Sequence, residues 1–218
     1  MTGTRRIAVV VACLLALTGC TFKTARGESA VAEQRTLTVF FASASTRSMD
    51  AAGERMTDVV TYVSNRVVVA THVAPGTNGG ILTDGGGAAA LDAAKTWIQC
   101  AHEAPCGAAA DKATAALGVK SQPVSLEPDV KSVMAKLLAG EADAGIVYLT
   151  DAMAAGKAVN TVEFGTFVIG SEQAKAISTQ YMIGQVDTGN ADAAAFVQFV
   201  TSSAGYRAAA KKGFDVPL

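Results

Sequence analysis

The segment from Ser125 to Asp151, SLEPDVKSVMAKLLAGEADAGIVYLTD, constrains the fold of this chain more than any other. It runs a helical pattern into an apolar β-forming run across one short turn. Val130, Val133, Met134, Leu137 and Leu138 recur at helical spacing and make one apolar stripe. Pro128 suits a first-turn position, where a missing N–H costs nothing, and Glu127 and Asp129 suit the positive end of the dipole. The helix is therefore expected across SLEPDVKSVMAKLLAGEA, with Gly140 stopping it. DAGIVYLTD then reads as a strand buried on both faces, which needs helices above and below it.

The same alternation runs along the chain. TLTVFFASAS at 36–45 and RVVVATHV at 66–73 read as strands, with helical character in TRSMDAAGERM between them. APGTNGG and DGGGAAA are turn signals, and the glycines 85–87 read as a linker, since they lack the spacing of a phosphate-binding loop. KTWIQCA is a strand, PCGAAADKATAALGV opens a helix that ends at Gly118, and AMAAGKAV is a short helix and turn. QYMIGQV is a strand. Residues 190–214 form a helical stretch in two pieces: the first is expected to bury Ala195, Phe196, Phe199 and Val200, and the second to run from Ser202-Ser203 to Gly213. Strands alternating with helices imply a largely parallel sheet flanked by helices, with ligands at the strands' carboxyl ends beside helix N-termini.

The N-terminus sets the compartment. TRRIAVVVACLLALTGC has a basic start at Arg5-Arg6, an apolar run from Ile7 to Leu17 too short to span a bilayer, and a small-residue exit. Leu17-Thr18-Gly19-Cys20 resembles a bacterial lipobox, which implies cleavage before Cys20, diacylation of its thiol and anchoring on the outer face of the cell membrane. Residues 1–19 are then a signal peptide and 20–36 a polar tether. Charged residues are 17% and the net charge is −1, with no basic block beyond Lys211-Lys212, which excludes nucleic acid as a partner. With Cys13 in the signal and Cys20 lipidated, the exported domain keeps Cys100 and Cys106, and an isolated pair in that compartment is as a rule a disulfide.

Catalytic and metal chemistry find little support. Cys-x5-Cys lacks structural-zinc spacing and no second Cys/His pair follows it, so His72, His102 and Glu103 are read as ordinary polar residues. Redox chemistry prefers Cys-x-x-Cys. No Gly-x-Ser-x-Gly elbow is present. The chain is not read as an enzyme and implies no cofactor.

APCGAAADKATAALGV, SLEPDVKSVMAKLLAGEADAGIVYLTDAMAAG and AAAFVQFVTSSAGYRAAAKKGF, in that order and spacing, resemble the molybdate-binding proteins of ABC importers, in the type II solute-binding superfamily. The resemblance covers about Trp97 to Phe214, and GEADAGIVYLTDA is its most diagnostic piece. It implies an α/β, periplasmic-binding-protein-like fold of two lobes, each a parallel-rich sheet flanked by helices. Residues 37–72 and 179–218 would form a reduced first lobe and 73–178 the second. It implies a monomer that captures molybdate or tungstate for an ABC permease, with the backbone amides of Cys106 and Val130 and the hydroxyl of Tyr148 as ligands. A Cys100–Cys106 bridge would hold the Pro105-Cys106-Gly107 turn toward the cleft.

At its front the chain departs from that family. Members carry two ligand serines, the second in a Gly-Ser-Ser turn, ahead of a segment of the type VFASADT-x-x-MD. Here LTVF runs straight into FASASTRSMDAAG, a block of ~30 residues has no counterpart, and Gly-Ser-Ser is absent. Ser43 or Ser45 is left to stand in for the first serine. The expectation is weakened oxyanion binding, or a module that has left transport for a structural or interaction role.

Overall fold

A computed structural model describes residues 20–21, 36–37, 42–43, 57–74, 76, 79–82, 86–165, 171–185 and 189–217. The signal peptide, most of the tether and the helix expected at 46–56 lie outside these residues. Two short strands near the front, β1 (Cys20–Thr21) and β2 (Thr36–Leu37), pair antiparallel with each other.

The frame of the molecule is one mixed sheet. Its strands are β3 (Ala42–Ser43), β4 (Thr57–His72), β5 (Ile81–Leu82), β6 (Trp97–Cys100), β7 (Ser125–Glu127), β8 (Ala144–Tyr148), β9 (Val159–Val162) and β10 (Ser178–Gln185). The spatial order is β3-β10-β4-β8-β6-β7, with β9 pairing β4 and β5 pairing β9. Packed around it are α1 (Gly87–Ala93), α2 (Pro105–Leu117), α3 (Val130–Ala139), α4 (Leu149–Ala155), α5 (Glu172–Ala176), α6 (Ala191–Val200) and α7 (Ser203–Ala210).

The α/β, periplasmic-binding-protein-like architecture is present, and its parallel pairs are those of the β7-β6-β8 trio, which the helical crossovers demand, and the short pair of β5 with β9. What alternation alone does not reveal is β4. It is 16 residues long and antiparallel to every strand it meets. Its first half pairs β10 from Thr57↔Gln185 to Arg66↔Ser178. From Val67 onward it pairs β8 on one side, and from Val69 it pairs β9 on the other. Burial follows the change of neighbours. Val63 and Asn65 are buried while Ser64 and Arg66 are not, a one-faced pattern, and then Val67 through Ala70 are buried without a break. The strand read at 66–73 is thus the second half of a longer one that changes partners midway.

Several expected elements move. Ser125–Glu127 is a strand, so the helix starts at Val130 and Pro128 lies outside it. Asp129 is the N-cap, its carboxylate accepting from the Ser132 amide at 2.8 Å. Gly140 closes the helix at φ 71°, as read. Val133, Met134 and Leu137 are buried, whereas Leu138 is 49% exposed. In α6 the buried residues are Ala193 and Val200. Ala195 is exposed and Phe199 is 61% exposed, contrary to expectation. The glycine linker is partly helix, because α1 begins at Gly87 and drives Leu91 into the core. Neither β9 nor α5 was anticipated from the sequence.

Candidate functional site

The three parallel strands present their carboxyl ends at one edge. Cys100 of β6 is level with Glu127 of β7, and Ile98 is level with Gly145 of β8, so Tyr148 ends its strand close to the same height. Each strand feeds a helix: β6 leads to α2, β7 to α3 and β8 to α4. Helix N-termini carry unpaired N–H groups and partial positive charge. The sequence-predicted ligands Cys106, Val130 and Tyr148 therefore fall on one edge of the sheet, each at the start of a helix.

The three helix starts are not equivalent. At α2 the N-cap is Ala104, which has no side-chain acceptor, and the first turn holds no acidic residue. Pro105 has no N–H, so Cys106 and Gly107 carry the first-turn donors. A disulfide ties Cys100 to Cys106, with Cα atoms 5.8 Å apart, and closes the loop that contains His102. Gly107 is needed for packing: a Cβ there would stand 1.9 Å from the Ala101 carbonyl oxygen. The helix start is pressed against the end of β6.

At α3 the Asp129 carboxylate occupies the N-terminus. The Ser132 amide holds its pKa below the ordinary value, with the Lys131 amide and charge adding to the effect. Val130 is left with the free first-turn position. Beside it Glu127 is buried and hydrogen-bonded by Lys136 Nζ and Ser125 Oγ, both at 2.6 Å, and these bonds keep its pKa low. At α4 the first turn holds Asp151, whose pKa is raised by burial.

Tyr148 is buried, and its hydroxyl is 2.7 Å from Thr179 Oγ1 on β10. Burial pushes its pKa up to about 12 against the effect of that hydrogen bond, with Tyr181 and Asp151 adding to the rise. The phenol stays neutral and able to donate. Thr179 is in register with Asn65, which is 2% exposed and donates from Nδ2 to Thr150 Oγ1 at 2.8 Å. The Asn65 Oδ1 atom is buried and meets no hydrogen-bond partner among the described residues. Thr150, Thr179 and Asn65 are not singled out by the sequence, in which the strand reads as beginning at Arg66. Two polar residues inside a β-forming run were the available signal. Next to Asn65, Arg66 grips Glu163 with two nitrogens, at 3.0 and 3.2 Å, and also pairs with Asp215 from the C-terminal tail.

The remaining candidates are dispersed. Ser43 is in register with Tyr181 across β3 and β10, and its side chain lies outside the described residues, as does that of Cys20. His72 Nδ1 is 3.0 Å from the Leu137 carbonyl, at the end of α3. His102 Nδ1 is 2.7 Å from Asp111 Oδ2, and Glu103 is exposed. Among the described residues no three His, Cys, Asp or Glu side chains cluster as a metal site.

Comparison with known proteins agrees with this architecture. The family model described as bacterial extracellular solute-binding protein matches residues 18–215. The molybdate-binding protein ModA of Mycobacterium tuberculosis (strain ATCC 25618 / H37Rv) and that of Mycobacterium bovis are each 34% identical over 122 residues, covering 55% of this chain and 44% of theirs. The match thus spans less than half the length of those curated relatives. Among solved structures, a Clostridium difficile chain described as the substrate binding domain of a molybdenum ABC transporter superposes with a TM-score of 0.61 at 18% identity, covering 83% of this chain and 77% of its own. The Azotobacter vinelandii periplasmic molybdate-binding protein gives 0.58 at 19% identity, covering 83% and 78%. At such identities the likeness speaks to the fold alone.

Proposed function

Because the chain belongs to the bacterial extracellular solute-binding protein family, we propose that it captures a tetrahedral oxyanion, molybdate or tungstate, outside the cell and delivers it to an ABC permease. The observation that supports the reading is the shared strand edge, where Cys106, Val130 and Tyr148 each stand at a helix start. Amides and a neutral phenol suit an anion that must be held without a counter-charge. The 34% identity to molybdate-binding proteins supports the choice of anion. Anchoring through a lipidated Cys20 and a monomeric state complete the proposal. So does a two-lobed organisation, in which the ligand sits between residues 73–178 and the rest.

The same edge supports weakened affinity. The Tyr148 hydroxyl is shared with Thr179 Oγ1 at 2.7 Å, Asp129 occupies the start of α3, and Asp151 stands in the first turn of α4. Each charge-assisted bond left unmade forgoes roughly 1.5–3 kcal/mol, so two of them weaken binding by a few orders of magnitude. Isothermal titration of the purified chain with molybdate, tungstate and sulfate tests both parts. Submicromolar affinity for molybdate would sink the weakening. No heat and no thermal stabilisation at millimolar oxyanion would sink capture itself, since a ligand at a hundred times its Kd adds about 2.7 kcal/mol.

A further inference from the structure

A cavity of about 440 Å³ is lined by α2, the turn that follows it, strands β6 and β7, and His102 of the disulfide-closed loop. Its floor is polar. Gln99, 2% exposed, donates from Nε2 to Asp111 Oδ1 at 2.8 Å. His102 donates from Nδ1 to Asp111 Oδ2 at 2.7 Å. Its apolar lining is Ala115, Val119, Pro123 and Leu126, of which Ala115 and Leu126 are exposed.

An account of the donors shows what this cavity can accept. The Trp97 indole N–H is spent on Ser121 Oγ, the Ser121 hydroxyl on the Leu91 carbonyl, and the Thr114 hydroxyl on the Asp111 carbonyl. Asp111 engages one N–H of Gln99 and the proton on His102 Nδ1. What remains unspent is a set of acceptors, namely the Gln99 amide oxygen, His102 Nε2, the Thr114 oxygen and the spare lone pairs of the carboxylate, together with the second N–H of Gln99 and the Gln122 amide, which can turn either its oxygen or its N–H groups to the cavity. No lysine or arginine lines the cavity, and Asp111 gives it a formal negative charge. One carboxylate with acceptors beside it, apolar neighbours and no lining cation fits a donor-rich cation with a small hydrocarbon body.

We propose that this cavity is a second binding site, for a primary ammonium group carried on a short apolar body. It is independent of the oxyanion reading. A metal ion would need more ligands, and the described residues supply no third His, Cys, Asp or Glu here. His102 also has a place in this setting, because the contact of its Nδ1 with Asp111 holds the ring at the cavity.

Trp97 is the only tryptophan of the chain, so intrinsic fluorescence reports on the cavity. The test titrates the purified protein with n-butylammonium chloride, and with sodium butyrate and 1-butanol as matched anionic and neutral probes at constant ionic strength. The expected result is saturable change with butylammonium alone. Asp111→Asn should weaken it by about tenfold or more, the loss of one charge-assisted contact. Since that variant also loosens the loop, Ala115→Arg, at an exposed position of the lining, provides a block that leaves the Asp111 pairs intact. No saturable response to butylammonium, an equal response to all three probes, or parental affinity in either variant overturns the proposal.

Discussion

Replacing Gly107 by alanine pits helix propensity against packing, and the structure says which wins. Alanine in a helix is favoured over glycine by up to about 1 kcal/mol. Against this, the new Cβ would stand 1.9 Å from the Ala101 oxygen, 2.6 Å from its carbonyl carbon and 2.8 Å from the Cys100 oxygen. All three are backbone atoms, so no side chain can rotate aside. The helix start would have to retreat by about 1 Å while the Cys100–Cys106 bridge holds it. Its buried face of Cys106, Ala109, Ala110 and Ala113 would lift from the sheet. Overpacking of this kind costs about 1–3 kcal/mol, and a rigid obstacle places it at the upper end or beyond. The expected net loss is about 2 kcal/mol, or a Tm lower by roughly 4–8 °C. Gly80→Ala is the control, because a Cβ there meets nothing within 4 Å. Urea denaturation of both variants against the parent gives the answer. A Gly107→Ala protein as stable as the parent, or more so, would refute the close approach and with it the reason for a glycine beside the Cys106 amide.

Two further outcomes are expected. Changing Cys100 and Cys106 together to serine should lower stability by about 2 kcal/mol, the entropy of a short closed loop. Reductant should bring the parent to the same denaturation midpoint, and oxyanion binding should survive, because the Cys106 donor is its backbone amide. For pH, Glu127 is the group to follow. Lys136 and Ser125 depress its pKa below the ordinary 4.5, so its contribution is complete above that value and disappears as pH falls through the lower folded value. Glu127→Gln should therefore flatten the acid limb of a stability profile taken from about pH 6 to about pH 3. An acid slope identical to the parent's would rule out this linkage.

The amphipathic stripe of α3 and the glycine stops at 118 and 140 follow from local rules, and the chain obeys them. So do the candidate donors, since a strand that ends at a helix start offers amides wherever it occurs. Leu138 and Phe199 show where local rules fail. Both sit at helical spacing with buried neighbours, yet among the described residues they stay largely exposed, and periodicity cannot count the layers above a helix. Ser125–Glu127 shows the same limit. Its three residues have no strand signal of their own and are extended because Ile98–Cys100 offers a ladder to pair with.

By itself the sequence determined an α/β chain, a cysteine pair on one short loop, and strands that run directly into helix starts. The tertiary structure alone decided the rest. Strand pairing is made between residues far apart in the chain, so only the folded sheet could show β4 changing partners at Arg66 and Val67. For the same reason only the fold could set Tyr148 against Thr179, 31 residues away, and Gln99 and His102 on one carboxylate. Hydrogen bonds of that range leave no period in the sequence, because they depend on register and burial rather than on neighbouring residues.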